Sequence, residues 1–240
     1  MGPGALPQLD AQQRPPGTAR DLTRFAILVG LASEAAVVHA AARGAGHRLN
    51  VAVSGADAAR AHWEAGHLTR AAPDLMVSLG LAGGLDVALT PGTLLVADAV
   101  IAPDGKRMLT DTGWTAHLRD RIAGAAAGDI LGADAPVLSA SEKEMLARVS
   151  GASAVDMESH ALARAAHDAG IPFVVLRAVC DPARRTLPGA FLEMLDSEGR
   201  LRWGALPAVL RRPGPAFTLW RDSRAGRVAL ARAAVALLSV

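Results

Sequence analysis

Glu158, Asp181, Glu34 and Arg177 are the side chains whose positions suggest chemistry. Glu158 closes Val155-Asp156-Met157-Glu158, which reads as the end of a strand, a carboxylate and the start of a helix. Asp181 closes the apolar run of residues 172 to 181, so these two stretches read as parallel strands, each ending in an acid. Glu34 follows the short apolar run of residues 25 to 31. Ala82-Gly83-Gly84-Leu85 continues directly from the buried run of residues 75 to 81, and glycines just past a strand let backbone approach a ligand. Strand ends of a parallel sheet gather on one edge, where open α/β folds bind their ligands. Arg177 is different, because it is a charge inside an apolar strand. A buried guanidinium needs an anionic partner, and Glu34 or a bound anion could supply it.

Alternating strands and helices must position these groups. Strands are expected at residues 25–31, 49–54, 75–81, 93–101, 135–139 and 172–181. Helices are expected at 35–45, 57–71, 114–127 and from Glu158 to Ala169, the last closed by Gly170. Ser141 with Glu144 reads as a capping box opening another short helix. Strands and helices alternating through short connections predict a three-layer α/β/α sandwich around a mixed, largely parallel sheet. Residues 1–22, with their prolines and glycines, read as a disordered arm, 23–188 as the catalytic domain and 189–240 as a helical extension. Within the extension Pro207 breaks a helical stretch, and residues 216–238 have helical composition. On that last segment Leu219, Leu230 and Leu237 share one face, while Arg221, Arg224, Arg227 and Arg232 spread over the other. Such a helix either packs its leucines on the sheet or lies at a lipid surface with its arginines toward phosphates.

Composition narrows the classes. The 240 residues suffice for one α/β domain with a full core, since 51% are hydrophobic. The N-terminus shows no charged segment followed by an apolar core, so no signal peptide is expected, and no apolar run is long enough to span a bilayer. A single cysteine fits a reducing, cytoplasmic setting, with a peripheral place at the inner membrane face if the tail binds lipid. The formal charge of +2 and the absence of tyrosine leave neither a basic block nor stacking platforms, so nucleic acid is not an expected partner.

The motifs Ala82-Gly83-Gly84-Leu85, Val155-Asp156-Met157-Glu158 and Arg177-Ala178-Val179-Cys180-Asp181 resemble, in order and spacing, those of the nucleoside phosphorylase and nucleosidase superfamily. Glu34 is similar to the acid of its 5'-methylthioadenosine/S-adenosylhomocysteine nucleosidase branch. The segments Cys180-Asp181-Pro182-Ala183-Arg184-Arg185-Thr186-Leu187-Pro188 and Leu210-Arg211-Arg212-Pro213-Gly214 look like the hopanoid-biosynthesis phosphorylases, which are thought to remove adenine from adenosylhopane.

The resemblance implies cleavage of the N-glycosidic bond of an adenine nucleoside with an apolar 5' group, by water or with phosphate as co-substrate, and no other cofactor. Asp181 would then donate a proton to N7 of the base, its pKa raised by an apolar site formed by Val179 and its strand. Glu158 would bind ribose hydroxyls and favour a cationic sugar, and Met157 would pack on the sugar face. Glu34 and Arg177 would position the nucleophile, while Ala82, Gly83 and Val155 would line base and sugar. Where this branch usually carries a serine, the chain has Leu81, so a hydroxyl would have to come from Ser78, Ser54 or Ser33. A homo-oligomer is the default assembly the resemblance implies. The alternatives are a nucleosidase for methylthioadenosine or a related small nucleoside, and a non-catalytic nucleoside- or lipid-binding protein on the same fold.

The remaining reactive side chains read as structural. His62 and His67 do not share a helical face and are not expected to pair on a metal; His160 and His167 do but lack a third ligand and read as surface histidines, so no metal is expected. Cys180 reads as a buried strand residue rather than a nucleophile.

Overall fold

In the computed structural model, residues 23–187 and 213–239 are described, with side-chain placement from residue 221 onward in the last helix. The expected disordered arm and the stretch around Pro207 lie outside the described residues.

Among the described residues, eight strands and six α-helices follow in chain order. These are β1 (Arg24–Val29), α1 (Ala32–Ala41), β2 (Arg48–Val53), α2 (Ala58–Leu68), β3 (Leu75–Gly84), β4 (Leu94–Ile101) and β5 (Arg107–Leu109). Then come α3 (Thr112–Arg121), β6 (Ala126–Gly132), α4 (Ala140–Ser150), β7 (Ala154–Asp156), α5 (Ser159–Ala169), β8 (Phe173–Asp181) and α6 (Pro213–Leu238). The α/β fold with a mixed sheet is the class the sequence predicts.

Strands buried on both faces explain the near-continuous apolar runs. Because side chains alternate along a strand, Phe25, Ile27 and Val29 of β1 enter one core with Val38 of α1, Leu118 of α3 and Leu230 and Leu237 of α6. Ala26 and Leu28 enter the other, against Ala61 and Ala65 of α2 and Leu162 and Ala166 of α5. The last helix therefore packs Leu230 and Leu237 into the molecule, both fully buried.

Several expectations are corrected. The helix from Trp114 ends at Arg121, and residues 126–132 form a strand instead. Residues 135–139 are irregular. Gly128, at a φ of 145°, sits inside β6, and it obscured an apolar alternation that is only weakly marked. The short β5 pairs antiparallel on β4 at the sheet's edge. Helix α4 is capped two residues early, by Ser139 Oγ accepting from Glu142 N at 3.1 Å rather than by Ser141.

The largest correction concerns topology. β7 is antiparallel to β3, whereas β8 is parallel to it, so the strands that lead to Glu158 and Asp181 are not parallel to one another. β8 also pairs antiparallel with β4, β4 pairs with β6, and β6 with β7. The strands β3, β8, β4, β6 and β7 thus close into a ring, and the functional residues cluster where β3, β7 and β8 meet.

Candidate active site

β8 carries one irregularity. Ala82 is opposite Val179, but Gly83 is opposite Asp181, so Cys180 is an extra, bulged residue. A bulge re-aims the side chain beside it. Here it brings Asp181 opposite Gly83, where an unbroken register would have set it opposite Gly84. On β7, Val155 pairs with the same Gly83. A Cβ on Gly83 would contact Val155 Cγ1 at 3.4 Å, Asp181 Oδ2 at 3.8 Å and Lys143 Cε at 3.9 Å. Ala82, Gly83, Val155 and Asp181 are therefore brought together.

The second group forms around Arg177, which is fully buried. Its Nε donates to Asp156 Oδ2 in a short ion pair. One terminal nitrogen donates to Ser78 Oγ at 2.6 Å and Ser159 Oγ at 3.1 Å and lies 3.7 Å from Glu158 Oε2. The other terminal nitrogen is packed against Gly80, the residue paired with Arg177 on β3. The main anionic partner is thus Asp156 and not the expected Glu34. Asp156 lies two residues before Glu158 at the strand end, and its other oxygen accepts from Ser159 N at 3.0 Å.

Glu34 is the third residue of α1 and is 2% exposed. Its Oε2 accepts from Gly30 N and Leu31 N, each at 2.9 Å, and its Oε1 from Leu81 N at 2.8 Å. Burial raises its pKa, and the Arg177 charge with these three backbone donors opposes the rise. Glu158, at the N-terminus of α5, accepts from Ser54 Oγ at 3.2 Å. Burial pushes its pKa up to about 7; Arg177 opposes this, while Asp156 and Glu34 add to it. Met157 is half-buried beside it.

Two glycines give this cluster room. A Cβ on Gly30 would come within 2.8 Å of Glu158 Oε1. A Cβ on Gly80 would overlap the Arg177 guanidinium and lie 3.0 Å from Glu34 Oε2. Leu81 faces away from the acids: its side chain packs toward α6, where a Cβ on Gly226 would be 2.7 Å from Leu81 Cδ2. Of the serines expected to replace the missing hydroxyl, Ser78 is committed to Arg177, Ser54 reaches Glu158, and Ser33 is exposed on α1.

Lys143 was missed by the sequence reading. It is on α4 and fully buried, and its Nζ donates to Asp181 Oδ2 in a short ion pair, to Arg185 O at 3.0 Å and to Pro182 O at 3.3 Å. Asp181 Oδ1 is buried and has no hydrogen-bond partner among the described residues. The expected wholly apolar setting of Asp181 is corrected accordingly: burial raises its pKa, and Lys143 opposes the rise. The available signal was that Lys143 is one of only two lysines in an arginine-rich chain, within a short helix otherwise rich in exposed residues. The loop after β8 is fixed from both sides. Leu187 N donates to Leu138 O at 2.9 Å, and Arg185 pairs with the buried Asp222 of α6 at 2.6 Å. Cys180 has its thiol pushed up to about 12 by burial, which keeps it protonated.

The arrangement is one carboxyl with an open buried oxygen beside a glycine platform, and three carboxylates around one guanidinium. It sets a buried, open carboxyl oxygen at one end and strong negative potential at the other.

Comparison with known proteins agrees with this architecture. The fold matches a 5'-methylthioadenosine/S-adenosylhomocysteine nucleosidase from Neisseria meningitidis, in complex with methylthio-immucillin-A, with a TM-score of 0.71 and 19% identity over 91% of this chain and 99% of that one. The same type of nucleosidase from Colwellia psychrerythraea, in complex with adenine, matches at 0.70 with 17% identity over 91% and 95%. Futalosine hydrolase of Helicobacter pylori matches at 0.63 with 20% identity over 85% and 97%. The profile of the Phosphorylase superfamily matches residues 33–199. The chain belongs to the Phosphorylase superfamily.

Proposed function

We propose that this protein releases adenine from a nucleoside bearing an apolar 5' group, with adenosylhopane as the substrate and water as the nucleophile. The observation that carries the reading is the pairing of a buried, open Asp181 Oδ1 beside Gly83 with the Glu158, Arg177 and Glu34 cluster. Breaking the bond between C1' and N9 leaves an electron pair on the base and positive charge on the sugar. Asp181 gives its Oδ1 proton to N7, so the base departs neutral, and the carboxylate left behind faces the Lys143 ammonium instead of standing alone in a buried site. Ionised Glu158 favours the cationic sugar and accepts from ribose hydroxyls, with Met157 on the sugar face. Glu34 takes a proton from the attacking water.

Charge supports water over phosphate. Arg177 is fully buried and already engaged by Asp156, Ser78 and Ser159, and Glu34, Asp156 and Glu158 surround it. A phosphate dianion would meet an excess of carboxylates. The exposed face of α6 supports an amphiphilic substrate: Arg221, Arg224 and Arg232 line a cavity of about 360 Å³ there, and Val228 and Val235 of the same helix are exposed. In this reading that face meets an anionic lipid surface, and flotation with anionic liposomes tests it; no binding removes that part of the proposal. Self-association belongs to the proposal as well, and sedimentation of the full chain tests it.

The deciding experiment measures adenine release from adenosylhopane and from 5'-methylthioadenosine, each with and without phosphate. The expected result is release without phosphate, faster from adenosylhopane. Faster release from methylthioadenosine would make the chain a small-nucleoside nucleosidase. A strict need for phosphate would overturn hydrolysis, and no release from either substrate would overturn the proposal.

A further inference from the structure

The sequence reading placed His160 on the surface, sharing a face with His167 but lacking a third ligand; the structure buries it beside His62 and Asp134. His160, the second residue of α5, is 1% exposed. Its Nε2 lies 3.1 Å from Asp134 Oδ1, in the irregular segment after β6. The ring of His62, from α2, stands at 73° to that of His160 with centroids 5.0 Å apart. Each of the three residues offers one ligand atom, and these atoms all lie within 4.8 Å of one another. The three come from separate parts of the chain: α2, the segment after β6, and α5. They are unrelated to one another in sequence spacing, so no motif could have revealed them.

From these positions we propose that His62, Asp134 and His160 form a binding site for a divalent transition ion of the zinc type. Two imidazoles and a carboxylate are a donor set that suits this ion, with a fourth position left for water. In a tetrahedral site with bonds of about 2.0–2.1 Å, ligand atoms stand about 3.3 Å apart. The spacing between His160 and Asp134 already meets this, and His62 and Asp134 are exposed and can close the remainder by side-chain rotation. His160 cannot swing away. Gly132, the last residue of β6, lies so close to its ring that a Cβ there would overlap it. Its Nδ1 is buried with no partner among the described residues, so the ring is held by packing.

The ion would join α2, α5 and the segment after β6. Glu158 lies two residues before His160, and Gly132 pairs with Asp156 across β6 and β7. A bound ion would therefore brace the elements behind the sugar end of the site without touching substrate. Its role would be structural, and it takes no part in bond cleavage.

The test uses the full chain without an affinity tag, freed of metal by a chelator. Zinc is titrated calorimetrically, and cobalt serves as a probe through its visible absorption. The expected result is about one equivalent of zinc per chain, a tetrahedral cobalt spectrum and a higher melting temperature with zinc. His62→Ala and Asp134→Asn change exposed residues, so the fold should survive. Each should weaken zinc binding by more than about 10-fold, the low end of what losing even an outer partner of a metal ligand costs. His67→Ala, on the same helix but stacked on Trp63, should bind zinc as the parent does. No zinc uptake by the parent chain, or uptake unchanged in both His62→Ala and Asp134→Asn, would overturn the site. The readouts are independent of adenine release, so this inference stands or falls separately from the proposed function.

Discussion

Around Arg177 three carboxylates share one guanidinium, whereas around Asp181 one carboxylate has one ammonium. Both ends are buried, so desolvation works against charge at each, and the difference lies in the local balance. At the sugar end burial pushes the Glu158 pKa up to about 7; Arg177 opposes the rise, and the surplus carboxylates Asp156 and Glu34 add to it. At the base end the charges match, and Lys143 lowers a pKa that burial alone would raise further. The proposed reaction, which gives a proton to the leaving group at one end and forms a sugar cation at the other, would be served by this asymmetry.

The largest effect should come from the base end. Asp181→Asn removes the proton donor, and adenine release should fall by about 10²- to 10⁴-fold, the usual range for a general acid. A riboside with a nitrophenolate leaving group, which departs without a proton, should be cleaved at nearly the parental rate by the same variant. Equal losses on both substrates would refute the acid assignment, and circular dichroism checks the fold.

Next in size is Gly80→Ala at the sugar end. The added methyl would overlap Arg177 and press on Glu34, in a cluster that cannot yield without exposing or unpairing a charge. Overpacking of this kind costs about 1–3 kcal/mol, so denaturant unfolding should show that loss together with reduced turnover. A stability unchanged from the parent would mean that the cluster is looser than described.

Lys143→Met tests the balance at the base end more finely. The influence that lowers the Asp181 pKa disappears, so the pKa rises and the descending, alkaline limb of the rate profile should move to higher pH. The carboxylate formed on proton transfer also loses its partner, so the maximal rate should drop. Lys143→Arg should restore part of it. An unmoved limb would show that the pair does not tune the acid.

The smallest effect belongs to Ser54→Ala. With Glu158 active as the carboxylate, the rate should climb as pH rises through about 7. Ser54 favours the ionised form, so its removal should shift this ascending limb slightly to higher pH. Stability has the opposite sign. The folded pKa lies above the ordinary 4.5, so the Glu158 contribution is present below that value and is lost as pH rises through about 7. Melting temperatures of Glu158→Gln should therefore vary less with pH across that window than those of the parent.

Much of the fold could be read locally. The apolar runs of β1, β3 and β8 and the Gly170 stop of α5 are local signals, and each appears where periodicity or capping chemistry puts it. β6 was not legible, because Gly128 and Asp129 interrupt its pattern and its pairing with β4 and β7, not its propensity, makes it a strand. The strand-end acids Glu158 and Asp181 were legible for the same local reason.

The sequence by itself determined that β1, β3 and β8 are strands with near-continuous apolar runs and that Asp181 ends the last of them, since both follow from residue type and spacing within a few positions. It also showed that a guanidinium must be paired inside β8. Only the tertiary structure decided the partners. Asp156 takes Arg177 because β7 runs antiparallel to β3, and Lys143 reaches Asp181 because α4 and the loop after β8 fold together. Gly80 is required because of what stands beside it and not because of its backbone angles. His62, Asp134 and His160 meet because α2, α5 and the end of β6 do. Pairings of this kind are long-range: they depend on which elements become neighbours, and no local pattern of residues encodes that.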